Sequence, residues 1–148
     1  MKRFVVNMYN DMLLSIRQGN GVNGKSIAKP VFLLSIMEAV SDMKLNTNHI
    51  LCDDINIKNS YARLMDRYEE LCKVPFTVPY YHLASSAFYH LIWRTGEIPP
   101  FQGHTPSAKY LRENLLYAKL DDELWDLLQD AESRKFLKQS IIKRYLTK

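Results

Sequence analysis

The chain has 148 residues, 47% of them apolar and 24% charged, with a formal net charge of +4. That length and composition suit one folded domain able to bury a core without cross-links, and exclude a disordered arm or a disulfide scaffold. No stretch reads as a signal peptide or approaches the apolar length of a bilayer span, so a soluble cytoplasmic protein with no membrane partner is expected.

Residues 3–17 predict a first helix, with Phe4, Val5, Met8, Met12, Leu13 and Ile16 near helical spacing. Gln18-Gly19-Asn20-Gly21 ends it, and the loop runs on through Gly24. A second helix begins at Lys29-Pro30, where the missing proline N–H is not needed. Val31, Leu33, Leu34, Ile36, Met37 and Val40 make it apolar on more than one face, which predicts the central buried helix. A short segment at 49–52 precedes Asp53 and Asp54. Tyr61, Leu64, Met65, Tyr68, Leu71 and Cys72 then recur at i, i+3, i+4, i+7, i+10 and i+11, the cleanest amphipathic pattern in the chain, and Pro75 ends it.

The next stretch, VPYYHLASSAFYHLIW at 78–93, carries an aromatic-aromatic-His-Leu tetrad twice, at 80–83 and 88–91. Its aromatic content predicts two antiparallel strands turning at Ser85-Ser86, with His82 opposite Tyr89 and Tyr81 opposite His90. A four-residue loop there keeps the same pairing parity. Gly96, Pro99-Pro100, Gly103 and Pro106 predict a loop over 94–107. Helices near 122–129 and 131–146 close the chain, the second with Phe136, Leu137, Ile141, Ile142 and Tyr145 turned inward. The expected fold is α+β: one mostly helical domain over 1–148 with a small antiparallel β-hairpin.

Between 121 and 132 every charged side chain is acidic, and between 134 and 148 every one is basic. Complementarity to helix dipoles accounts for the pattern, and a polyanionic partner is the other reading. The histidines His49, His82, His90 and His104 form no zinc-finger or zincin spacing, and no P-loop, GxGxxG or GxSxG occurs. Neither a metal nor a cofactor is expected. Cys52 and Cys72 read as inert thiols, Asp53-Asp54 as a polar loop or helix cap, and His82 and His90 as packing residues with a neighbouring tyrosine hydroxyl for partner. By its residues alone the chain is a binding module rather than an enzyme.

KPVFLLSI at 29–36 resembles the HKPxLLL opening of the N-terminal region of HNH-type restriction endonucleases. VPYYHL at 78–83, followed by FYHL at 88–91, resembles that family's PFxxL…DGFWxL block. YAKLDDELW at 117–125 with Glu132-Ser133-Arg134 resembles its closing YAxLDxELxxLL…ESR segment. The three blocks stand in family order across residues 28–146.

The resemblance implies a DNA sulfur-binding domain, which recognises phosphorothioate-modified DNA and delivers a C-terminal HNH nuclease to it. No ββα-metal motif is present, so it implies a recognition domain with no HNH nuclease domain, free-standing or excised, that does not cut DNA by itself. The implied partners are double-stranded DNA, phosphorothioate-modified in the sharper form of the reading, and a nuclease subunit. Carried over position by position, Lys29 takes the family's basic place and Pro79 its proline ring, with Tyr80 and His82 flanking them. Lys25 joins Lys29 at the DNA backbone, and Lys138 and Lys143 supplement the electrostatics. Ala28 stands where the family has histidine, Val78 where it has tyrosine, and Ser86-Ala87 where it has Asp-Gly.

The same residues have a purely architectural account, in which Lys29-Pro30 starts a helix and Pro79 begins a strand. A protein-interaction module with this fold and no DNA pocket is the rival function, and it predicts an exposed apolar patch around Tyr80, Tyr89 or Trp93. A third reading places the nuclease on a separate chain or in a missing part of this one. DNA reading requires that Lys29 and Pro79 converge in space.

Overall fold

The computed structural model describes residues 2–21, 24–68, 74–96 and 103–146. In chain order these form α1 (Lys2–Leu13), the short strands β1 (Asn20–Gly21) and β2 (Gly24–Lys25), α2 (Ala28–Ser41), α3 (Ile55–Tyr68) and α4 (Thr77–His82) with a 3₁₀ turn (Leu83–Ser85). Next come β3 (Tyr89–Trp93), α5 (Ala108–Asn114), β4 (Leu115–Leu120), α6 (Asp122–Gln129) and α7 (Ala131–Ile141), closed by a π-helical turn (Ile142–Leu146). The α+β, mostly helical architecture expected from the sequence is the one observed.

Helix α2 is the axis of the core. Every residue from 30 to 37 is buried, together with Ala28, Ala39 and Val40. A helix apolar all round cannot face water, so other elements must wrap it. α3 contributes Ile57, Tyr61, Leu64 and Met65, one stripe at helical spacing; Leu71 and Cys72, assigned to the same stripe, lie outside the described residues. α7 contributes Leu137 and Ile141.

One inward assignment, that of Phe136, is corrected. Phe136 is 43% exposed, and on α1 the buried residues are Tyr9 and Leu13, while Phe4 is 69% and Met8 38% exposed. The first helix also ends at Leu13 rather than at 17. Its end is held by Tyr145, whose hydroxyl donates to the Leu13 carbonyl at 2.6 Å and accepts from the Ile16 N–H at 3.1 Å. The segregated charges serve the helix termini: Asp122 and Glu123 lie in the first turn of α6, Glu132 in the first turn of α7 and Lys138 in its last.

The largest correction concerns the repeated tetrad. Its first copy is helical, spanning α4 and the 3₁₀ turn, and only the second is a strand. Tyr80 and Leu83, three residues apart, are buried on one helical face, and Pro79 sits in the first turn, where its absent N–H costs no hydrogen bond. β3 pairs antiparallel with β4, Tyr89 facing Leu120 and Leu91 facing Ala118, with an irregularity at Ile92/Trp93. The partner therefore comes from beyond the 94–107 loop, and the closing motif at 117–120 is a strand before it is a helix.

The far edge of β4 is covered by the segment at 48–50. Ile50 and Ala118 exchange both backbone hydrogen bonds, at 2.8 and 2.9 Å. One step along, the Asn48 side chain imitates a strand: its Nδ2 donates to the Leu120 carbonyl at 2.7 Å and its Oδ1 accepts the Leu120 N–H at 2.9 Å. Asn48→Ala leaves both backbone groups without these partners at a part-buried edge. The expected loss is about 1–3 kcal/mol of unfolding free energy, read from the denaturant midpoint at unchanged m-value.

Candidate nucleic-acid interface

The head of α2 is fixed from both sides. The Ser26 Oγ accepts the Ala28 N–H at 3.2 Å and the Ile27 carbonyl accepts the Val31 N–H at 3.0 Å, so two donors of the first turn are occupied. Gln18 Nε2 donates to the Ser26 carbonyl at 2.9 Å and the Ser26 N–H to the Gly19 carbonyl at 2.6 Å, which pins the preceding loop to the helix start. Lys29, next in line, donates from Nζ to the Arg17 carbonyl at 2.7 Å and to the Ser85 hydroxyl at 3.2 Å. An ammonium carries three N–H groups, so these two acceptors orient it and leave one donor for a ligand.

The Lys29–Ser85 bond joins the head of α2 to the end of α4. Between them lies a cavity of about 440 Å³ whose wall includes Ala28, Lys29, Val74, Val78, Pro79 and His82. Arg17, Ser85 and His104 also border it, and among the described residues none of its lining is acidic. Lys29 and Pro79 converge, as DNA reading requires.

His82 stands at the cavity on the last turn of α4. Its Nε2 is 2.8 Å from the Thr105 hydroxyl, and its ring stacks on that of His104 at 4.5 Å between centroids and 23° between planes. Gly103, at φ 100°, occupies a backbone conformation that side-chain-bearing residues rarely adopt, just before His104 and Thr105. Burial holds the Lys29 pKa below the usual lysine value, with the Arg17 guanidinium adding to it. Burial also lowers that of His82, with His104 and Lys29 contributing repulsion.

The other candidate residues are placed elsewhere. Tyr80 is fully buried and turned away from the cavity: its hydroxyl donates to the Ile50 carbonyl at 2.6 Å, and its ring stacks on Phe76. A flanking role at the pocket is thereby corrected to a role in the core. Lys25 is exposed on β2, one residue before the cavity-lining Ser26. Lys138 borders a different cavity of about 620 Å³ at the tail of α2, shared with Arg63, Arg134 and Lys135 but also with Glu38 and Asp42. Nine residues of helix rise separate Lys29 from Glu38, roughly 14 Å. Lys143 is exposed on the π-helical turn.

The histidine partners differ from the tyrosines expected. His82 meets Thr105, and His90 pairs through Nε2 with Asp121 at 2.6 Å. Asp54 caps α3, accepting the Ile57 N–H at 3.0 Å, in keeping with the cap reading. Arg17, Ser85, His104 and Thr105 join the site from outside the sequence expectations. Their one local signal is a histidine following a glycine in a proline-rich loop.

The overall fold is shared with solved structures. The sulfur-binding domain of SprMcrA complexed with phosphorothioated DNA superimposes with a TM-score of 0.72 at 17% identity, covering 96% of this chain and 86% of that one. The sulfur-binding domain of ScoMcrA complexed with phosphorothioated DNA gives 0.70 at 16% identity, covering 93% and 86%. The chain has the sulfur-binding-domain fold. In the type IV phosphorothioation-dependent restriction endonuclease ScoMcrA the match, at a TM-score of 0.67 and 16% identity, covers 93% of this chain and 25% of that one. No family model matches the sequence, and no curated protein matches it.

Proposed function

We propose that the chain is a DNA-recognition module of a modification-dependent restriction system, and that the cavity at the head of α2 reads one phosphorothioate position on the backbone of double-stranded DNA. The observation that carries this is the meeting of Lys29 with Val78, Pro79 and His82 around a cavity with no acidic lining among the described residues. A backbone anion is favoured there by the Lys29 ammonium, by Arg17 at the rim and by the positive end of the α2 dipole.

Sulfur discrimination follows from the apolar part of the wall. A non-bridging sulfur is larger, softer and a weaker hydrogen-bond acceptor than oxygen. Placing the strongly hydrated oxygen against Val78 and the Pro79 ring forfeits hydrogen bonds that sulfur scarcely makes, so the apolar wall selects the modified diester. Cleavage is assigned to a separate HNH nuclease domain or subunit. The protein-interaction rival loses its stated signature, since Tyr80, Tyr89 and Trp93 are 0%, 1% and 7% exposed.

The test compares phosphorothioate and unmodified duplexes of one sequence at fixed ionic strength. The modified duplex is expected to bind at least about fivefold tighter, on the order of 1 kcal/mol, and both affinities fall steeply with added salt. Equal affinities remove the sulfur-reading form; no binding to either removes DNA recognition.

A further inference from the structure

Resting on the reading that the cavity takes a backbone anion, we propose that His82 and His104 form a proton-coupled contact to it, the stacked pair taking up a proton as the DNA docks. His104 thereby becomes a binding residue, and DNA affinity rises as pH falls through the histidine range.

The two rings come from separate elements, α4 and the 103–107 loop, and stack at 4.5 Å on the same cavity wall as Lys29. Among the described residues, every charged neighbour they have there is cationic: Lys29 from α2 and Arg17 from the segment after α1. Among the described residues His82 also meets the Thr105 hydroxyl and the Tyr81 ring, edge-on at 4.9 Å. Before a ligand arrives, a proton on the pair sits beside an ammonium and a guanidinium, with no carboxylate among the cavity's described lining residues to offset it. Burial and repulsion therefore favour the neutral form of His82, whose pKa they lower.

An arriving diester reverses that balance. It stays anionic across the histidine range and supplies the missing counter-charge, so the pair's proton affinity rises on binding. By linkage, binding must then draw in a proton, and affinity strengthens as pH falls between the bound and free values. The Thr105 hydroxyl suits both states, since it donates to a neutral imidazole nitrogen and accepts from a protonated one. The proton also supplies a cationic donor in a cavity whose helix start carries Ala28.

The experiment measures the affinity of the full chain for the phosphorothioate duplex from about pH 5.5 to about pH 8.5 at constant ionic strength, for wild type, His104→Gln, the double variant His82→Gln/His104→Gln and, as a control, His90→Gln. His104 is exposed, so its replacement by glutamine keeps the fold and a hydrogen-bond donor but removes its imidazole from the stack. Wild type and His90→Gln are expected to tighten as pH falls, by up to about tenfold per unit at the steepest point for one proton, while His104→Gln, which keeps His82, shows a shallower slope and His82→Gln/His104→Gln stays nearly flat. The imidazole resonances of His82 are expected to titrate at higher pH with duplex present than without. Measurable binding that is flat with pH in wild type overturns the proton coupling and leaves DNA recognition standing. A slope undiminished in His104→Gln overturns the role of His104, and one that survives in the double variant overturns the role of the pair. Absence of binding at every pH overturns this inference and the DNA reading together.

Discussion

Lys29→Met is expected to lower affinity for duplex DNA by about tenfold to hundredfold, the equivalent of one charge-assisted hydrogen bond of about 1.5–3 kcal/mol. Methionine keeps an unbranched apolar stem against the cavity wall and deletes the ammonium. The hydrogen bonds that Lys29 donates within the protein, to the Arg17 carbonyl and the Ser85 hydroxyl, are exposed. Their removal therefore changes the unfolding free energy by no more than about 1 kcal/mol. The slope of log affinity against log salt should shrink by about 0.9, one phosphate contact fewer. Lys29→Arg restores most of that slope, because the guanidinium keeps the charge, but only part of the affinity, because its planar fork fits neither internal acceptor as the ammonium does. A Lys29→Met protein that binds with undiminished affinity removes the cavity from the DNA interface.

Tyr80→Ala should be the most destabilising of these substitutions, at about 3–5 kcal/mol. The ring is fully buried, stacked on Phe76 at 5.7 Å and set edge-to-face against Phe32 at 6.0 Å and Tyr89 at 6.5 Å. Against a typical domain stability of about 5–15 kcal/mol, that loss leaves a marginal protein. Tyr80→Phe separates the hydroxyl from the ring. The Ile50 carbonyl keeps its second donor, the Ala118 N–H at 2.9 Å, so the cost falls to about 1 kcal/mol. DNA affinity of Tyr80→Phe should equal that of wild type. A tenfold loss at unchanged denaturant midpoint would return Tyr80 to the reading surface.

These two residues mark how far sequence reading reaches. The place of Lys29 at the head of the central helix is legible because it stands at a helix start before a largely apolar run. Tyr80 is misplaced by its neighbour Pro79, since adjacency carries a side chain to the same site only in a conformation that turns both the same way. In the helix that forms, Pro79 reaches the cavity wall while Tyr80 turns into the core. His82, three residues on from Pro79, lies on the same face of that helix and meets the cavity.

What the sequence determined by itself is the set of elements whose periodicity is local. α2 is helical and central because its apolar residues leave no face for water, and α3, α6 and α7 follow from spacing, dipole-matched charges and breakers. Tertiary structure decided the rest. An aromatic tetrad satisfies either a helix face or a strand, and its two copies took different answers because β4, over twenty residues downstream, paired with one of them while α2 packed against the other. The cavity was decided in the same way. Arg17, Lys29, Pro79, Ser85 and His104 share no spacing that a chain can encode locally, and they meet because packing against one buried helix brings four separate segments to its positive end.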